Sequence, residues 1–437
     1  MLNIKFYLCA AAKRLGFLIL AAVLGLCLLL AVYLLPTDAM MQNASASSVI
    51  LSEEGFFTVK WGEEIGSKLD NFTDALMIQN AIAPSTGNVL KDAVSVNHLQ
   101  YGDSMAPVDD LHSQVLKQAG GSLHEYMRYW HGYLLFLKPL LLITGYNGIR
   151  ILNGILQIFL ILLVIFLMKK RGLTAYILPF LFSWLAIAPW ALPYSMQLST
   201  MYYIAMAGSA VLLGFYPFLR RQIFLYFMLL GILTSYFDYL TWPLISFGMP
   251  LIFVLLLERQ KETFLLKRTL IRMIGLGFNW GLGYSGMWLL KWIISELTLH
   301  SGAISQAIGA AFYRSSTDSE CAGVTITAVL TWIENIKRVF NPAFFVGIVL
   351  FLILLAIDLI RQIRSGSSRL RIAPAVPFLL TALLPAAWYA VIKNHSFVHP
   401  YLTYRILWIS IFAGMCMVRE LYYDHSISDN RNISKER

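Results

Sequence analysis

The sequence predicts an all-α polytopic membrane protein of about ten transmembrane helices, with a large outer loop after the first span. Three observations predict it. Hydrophobic residues make up 58% of the 437 positions against 13% charged, too little polar surface to keep the chain in solution. Apolar runs of about twenty residues, the length that crosses a bilayer core as a helix, recur along the chain. They are solid blocks such as 151–168, not the ten-residue alternation of an outer-membrane barrel. Finally, clusters of Lys and Arg fall on every second loop between these runs.

In order, the spans are placed near 15–35, 149–168, 173–190, 199–218, 222–238, 241–257, 271–292, 341–360, 373–392 and 405–420. With the N-terminus inside, 21 of the 34 Lys and Arg and 7 of the 24 acids are cytoplasmic, a balance of +14. The outer side takes 13 and 17, or −4. This is the positive-inside pattern, so the net charge of +10 reads as orientation and contact with anionic lipid, not nucleic acid. Lys5, Lys13 and Arg14 before an apolar run also fit a signal peptide, but the run is long for one and a retained anchor is expected.

The chain divides into 1–35 (cytoplasmic N-terminus and first span), 36–148 (outer loop), 149–292 (six-span core), 293–340 (second outer loop), 341–420 (last three spans) and 421–437 (cytoplasmic tail). The first loop ends in an apolar piece starting at Tyr129. It is expected to lie in the outer interface, with Trp130 and Tyr133 at headgroup level. The second loop is rich in small residues and is assigned no structure. Of the cysteines Cys9, Cys27, Cys321 and Cys416, only Cys321 is placed outside, so no intramolecular disulfide framework is expected.

No phosphate loop, GxSxG or HExxH motif occurs, and Gly281 and Gly283 form a GxG inside a span, without the strand–helix setting of a nucleotide fold. The polar residues with chemical potential gather instead on the outer side. In Leu69-Asp70-Asn71-Phe72-Thr73-Asp74-Ala75, two carboxylates at i, i+4 would share a helical face. Crowding and burial would raise one pKa toward that of a general base, or the pair would hold a divalent cation. The bland alternative is a helix start capped by Asp70 or Thr73. Asp238 sits among aromatics at an outward turn, as a functional acid or as a cap. Lys393, Asn394, His395, His399, Tyr404 and Arg405 lie between the last two spans. They make a cationic cradle for phosphate or a set of interfacial anchors, and lack a third nearby ligand for zinc. His131 and Arg150 bracket the interfacial piece, Arg150 against the charge trend.

This order of parts resembles the GT-C superfamily of membrane glycosyltransferases, which use polyprenyl- or dolichyl-phosphate-linked sugars. Its matching pieces here are Asp70 and Asp74 in the first outer loop, the Trp130-His131-Gly132-Tyr133-Leu134 start with Pro139 further on, and Arg150 opening the second span. The similarity covers roughly residues 10–260 as an ordered architecture. Gly132 and Tyr133 stand where such a start carries prolines, and Asp38 occupies the position nearer the first span, a rival base. The segments around Asp70, Asp238 and His395 are also similar to bacterial membrane proteins associated with surface polysaccharide.

The resemblance implies an inverting transferase in a bacterial plasma membrane, both termini cytoplasmic and the active site outward. It would move sugar from a polyprenyl-phosphate donor to a lipid-linked or cell-surface glycan. Asp74 or Asp70 would be the base, Asp238 would bind sugar or orient a cation, and Arg405, Lys393 and His395 would receive the departing phosphate. A transporter or flippase is the leading rival, although the span centres carry almost no charge and the halves show no repeat. A glycan polymerase or ligase and a non-catalytic scaffold also remain.

Overall fold

The structure is a computed structural model describing residues 2–61, 65–260, 264–318, 324–364 and 371–422. Cys321 and residues 423–437 of the expected tail lie outside the described residues. α1 (Leu2–Tyr33) ends before Pro36, and the chain restarts as α2 (Thr37–Glu54). A small polar unit follows: α3 (Asn71–Ile82), α4 (Val89–Ser95), β1 (His98–Gln100), α5 (Pro107–Val115) and β2 (Ser122–His124). The two short strands pair antiparallel with His98 opposite His124. Next come α6 (Leu134–Leu141), α7 (Tyr146–Lys170), α8 (Ile177–Trp184), α9 (Met196–Leu219), α10 (Ile223–Phe237), α11 (Ile245–Arg259) and α12 (Leu266–Leu299). The second polar stretch is helical as well, as α13 (Ala303–Ser315) and α14 (Ala328–Ile336). The rest is α15 (Pro342–Arg364), α16 (Ile372–Ala382), α17 (Leu384–Val391), α18 (Lys393–Val398), α19 (Pro400–Thr403) and α20 (Leu407–Tyr422).

Six helices among the described residues are long and apolar enough to cross a membrane: Leu8–Tyr33, Tyr146–Lys170, Met196–Leu219, Pro342–Arg361, Ile372–Val391 and Pro400–Tyr422. Thr174–Ile187 and Ile223–Phe237 are shorter apolar helices. α12 covers the expected span 271–292, and α11 overlaps the expected span 241–257 from Ile245 onward. The mainly helical chain with these apolar helices is consistent with an all-α membrane protein. α7 shows what surrounds it. Its polar Asn153 and Gln157 are buried, while Ile151, Ile155, Phe159, Leu162 and Phe166 are exposed. An amphipathic helix with its polar stripe inward is stable only where the surroundings are themselves apolar.

Glycine lets α10 and α12 touch backbone to backbone. A Cβ on Gly231 would stand 2.0 Å from the Trp280 carbonyl oxygen, and one on Gly283 2.1 Å from that of Met228. The GxG glycine at 283 is thus a helix-packing residue. α9 kinks at Phe215 (φ −114°, ψ 21°), two residues before Pro217, whose ring cannot continue the ladder.

The piece beginning at Tyr129 differs from expectation. Its helix, α6, is short, and Trp130 and Tyr133 are buried inside the protein rather than set at its rim. Trp130 Nε1 donates to the Met287 carbonyl at 2.8 Å, and Phe136 and Ile143 are the exposed apolar residues here. A backbone turn causes the reversal: His131 adopts φ 58°, and Gly132 packs so tightly that a Cβ would fall 2.3 Å from the Tyr236 ring.

Candidate functional site

α3 carries the acidic pair to two different places. Asp70 is its N-cap, accepting from the Thr73 amide at 3.1 Å and the Thr73 hydroxyl at 2.8 Å. This is the capping geometry that Asp favours because a helix start leaves amides unpaired. Asp74, one turn later, faces away onto the start of α9. It accepts from the amides of Met196 (2.8 Å) and Gln197 (2.9 Å), from Ser195 Oγ (3.3 Å) and from the Tyr146 hydroxyl. The pair therefore does not share one working face. Burial pushes Asp70 up to about 6, against the pull of the Thr73 hydrogen bonds and of Lys68. It pushes Asp74 up to about 7, opposed first by the Tyr146 hydroxyl.

Asp70 lines a cavity of about 720 Å³ enclosed by the start of α3, the stretch before α6, α13, and α18 with α19. Arg128, Arg314, Asn394, His395 and His399 line the same cavity. Tyr126, Tyr129 and Tyr239 form its aromatic side. The two guanidinium groups lie over these rings, Arg128 at 5.8 Å from the Tyr126 centroid and Arg314 at 5.7 Å from that of Tyr129. Arg314 also donates to the Tyr129 hydroxyl. His395 and His399, one turn apart on α18 and its C-cap, have ring centroids 4.9 Å apart. Nε2 of His395 is 2.7 Å from the Leu240 carbonyl oxygen. Burial, then the neighbouring His399 and Arg314, hold His395 well below the usual imidazole range, so it stays neutral at physiological pH. α18 is held in place by α14, whose buried polar face bonds it: Asn335 Nδ2 reaches the Ser396 carbonyl at 2.9 Å and Thr331 Oγ1 that of Lys393 at 3.1 Å.

Other expected residues serve the framework. Arg405 is fully buried and spends its guanidinium on backbone carbonyls, of Ile187 at 3.2 Å, Gly66 at 2.9 Å and Tyr401. It is a clamp between distant segments, not an open fork in the cavity. The Tyr404 hydroxyl donates to the same Gly66 carbonyl at 2.8 Å. Asp238 caps the turn after α10, accepting from the Thr241 amide and hydroxyl. Arg150 forms a bidentate pair with Glu54 at 2.6 and 2.7 Å. Lys393 opens α18 without lining the cavity, and Asp38 is exposed in the first turn of α2. His131 lies behind the aromatic wall, its Nδ1 2.6 Å from the Tyr239 hydroxyl and its Nε2 2.6 Å from the Tyr126 carbonyl. Burial, reinforced by nearby Lys291, pushes it well below the usual range. Among the described residues no group of three or more His, Cys, Asp or Glu is arranged to hold a metal ion.

Sequence reasoning passed over Arg128 and Arg314. The signal that marks them is an arginine beside tyrosines, Tyr126-Met127-Arg128-Tyr129 and Tyr313-Arg314, in stretches outside the apolar runs and poor in other cations. No protein-family model, curated protein or solved structure matches this chain.

Proposed function

We propose that the chain is a glycosyltransferase of about ten spans, both termini cytoplasmic, that moves a sugar from a polyprenyl-phosphate donor to a lipid-linked or surface glycan at the outer face. One observation carries this reading: the buried carboxylate of Asp70 lines the same cavity as two guanidinium groups and two histidines. The GT-C-like order of parts and the charge asymmetry of the loops support it.

A sugar on a lipid phosphate already has a good leaving group. The protein must orient an acceptor hydroxyl, take its proton and receive the phosphate charge. Two of the roughly four lone-pair positions on Asp70 are used by Thr73, which leaves room for an acceptor hydroxyl. In this scheme that oxygen attacks the anomeric carbon with inversion, its proton passes to Asp70, and the bond from the anomeric carbon to phosphate oxygen breaks. Arg128 and Arg314 receive the phosphate. The tyrosines offer flat faces to the sugar, and His395, held neutral, supplies hydrogen bonds with His399 beside it.

The test is to incubate the protein in lipid with a panel of labelled polyprenyl-phosphate sugars. Transfer or slow hydrolysis that is lost in Asp70→Asn while the protein stays folded is expected. Label crossing between leaflets chemically unchanged would replace this reading with a flippase.

A further inference from the structure

The hairpin of β1 and β2 does not line the polar cavity but leads into it. Its strands are three residues each, too short to hold their pairing alone. Gln79 Nε2 donates to the Leu99 carbonyl at 2.9 Å and ties β1 to α3, while the Tyr126 amide donates to the Ser95 carbonyl at 2.9 Å just past β2. Tyr126, Arg128 and Tyr129 then line the cavity, so the hairpin sets where they arrive. His98 and His124 are directly opposed in the antiparallel register, and both side chains therefore leave the same face. Their ring centroids are 5.9 Å apart, with planes inclined at 32°. His98 is buried, and neither of its ring nitrogens has a hydrogen-bond partner among the described residues. Burying an imidazole with both nitrogens unpaired is unfavourable, and a ligand on either one relieves it. His124 is exposed, and its Nε2 lies 2.9 Å from Ser122 Oγ. The Ser122 hydroxyl donates its own hydrogen to the Gln100 carbonyl at 3.1 Å, so it accepts from His124. That puts the His124 proton on Nε2 and leaves the free lone pair on Nδ1. An outer hydrogen bond that fixes the tautomer in this way is the usual companion of a metal-binding histidine.

We propose that His98 and His124 chelate a divalent transition-metal ion of the zinc class, which pins β1 to β2 beside the polar cavity. Nitrogen ligands about 2.0–2.1 Å from a tetrahedral ion put two imidazole centres about 5–6 Å apart, and the pair here is separated by 5.9 Å. Neutral imidazole selects zinc, copper or nickel, whereas magnesium and calcium take oxygen ligands. A two-residue chelate is smaller than the clusters of three or more that the described residues lack. Its remaining positions belong to water, so the site is open rather than a closed structural one. His124 forms its outer half, and an ion enters from that side. The inference does not depend on reading the cavity as a transferase site.

The test uses the full chain without a histidine tag, stripped with a chelator and held in lipid nanodiscs. Zinc is titrated by calorimetry and by melting temperature, alone and with excess magnesium or calcium. His124→Ala removes an exposed ligand and leaves the buried packing in place. Ser122→Ala, also at an exposed position, removes the bond that sets the tautomer, and His300→Asn replaces an exposed histidine elsewhere. The expected result is one zinc per chain with a raised melting temperature, bound at least about tenfold more weakly by His124→Ala and more weakly by a smaller factor in Ser122→Ala. His300→Asn binds as wild type does, and neither magnesium nor calcium displaces the zinc. Zinc bound equally well by His124→Ala, or no saturable zinc binding by wild type, overturns the proposal. Neither result touches the transferase reading, which stands or falls on the labelled donor sugars.

Discussion

Asp70 and Asp74 stand one helical turn apart on α3, yet they serve opposite surfaces. Asp70 caps its own helix and faces the polar cavity, while Asp74 docks that helix onto the first amides of α9. A carboxylate at a helix N-terminus meets both unpaired amides and the positive end of the helix dipole. The site therefore has a base candidate on one side of α3 and an anchor on the other.

Replacing each by Asn separates the two roles. Asn caps a helix as well as Asp does, so Asp70→Asn is expected to leave the melting temperature nearly unchanged while transfer falls by about a hundredfold or more. Asp74→Asn turns an amide NH₂ toward donors and is expected to destabilise by about 2–3 kcal/mol. Thermal unfolding in lipid alongside turnover checks both. A stable but inactive Asp74→Asn would move the base to Asp74.

The pH profile follows from Asp70. A general base works ionised, and burial holds this carboxyl near 6. Transfer is therefore expected to climb as pH rises through about 6 and to level off above it. Burial holds His395 well below the usual imidazole range, so His395→Gln is expected to lower the plateau without moving the inflection. An inflection that shifts in His395→Gln would assign the titration to the imidazole.

The long helices were legible in the sequence because a bilayer demands about twenty apolar residues in a row, a rule that needs no tertiary knowledge. The cavity was legible only in part. Asp70, Asn394, His395 and His399 were marked by their polar surroundings between apolar runs, and they do converge. Arg405 carried the same marks, but its carbonyl partners on Ile187 and Gly66 lie 218 and 339 positions away. Asp74 likewise depends on amides more than 120 positions along the chain. Trp130 and Tyr133 look like rim aromatics until the turn at His131 and the contact of Gly132 with Tyr236 send them inward. Arg314 was hidden because a small-residue stretch gives little periodic signal.

Arg314 reaches the cavity from α13, a helix largely exposed on its far side, so truncating it should cost little stability. Loss of a hydrogen bond to a charged group corresponds to about 1.5–3 kcal/mol. Arg314→Ala is therefore expected to raise the donor KM by roughly ten- to a hundredfold. Lys keeps the charge but not the fork or the stacking on Tyr129, so Arg314→Lys should recover only part. Steady-state kinetics with a labelled donor would show it. A change confined to kcat would mean that Arg314 acts on the leaving phosphate alone.

Arg150 and Glu54 hold α7 against α2, and Lys60 joins them at 2.7 Å from Glu54. Burial alone would raise the Glu54 carboxyl; hydrogen bonds from Arg150 and Lys60 outweigh it and bring it down to about 2. A carboxyl lowered in the folded state contributes stability above its unfolded value of 4.5 and loses it as pH falls toward 2. Melting temperature is therefore expected to drop between pH 5 and pH 2 in wild type. Arg150→Met should lower stability at neutral pH by about 1–3 kcal/mol, after allowing for the partial exposure of Glu54, and flatten the acid dependence of the melting temperature. Since Arg150 also donates to the Tyr194 carbonyl at 3.0 Å, just before the amides that hold Asp74, the same variant should loosen the α3–α9 joint. Faster amide exchange at Met196 and Gln197 would report that loosening, and unchanged exchange there would confine the role of Arg150 to the α2–α7 contact.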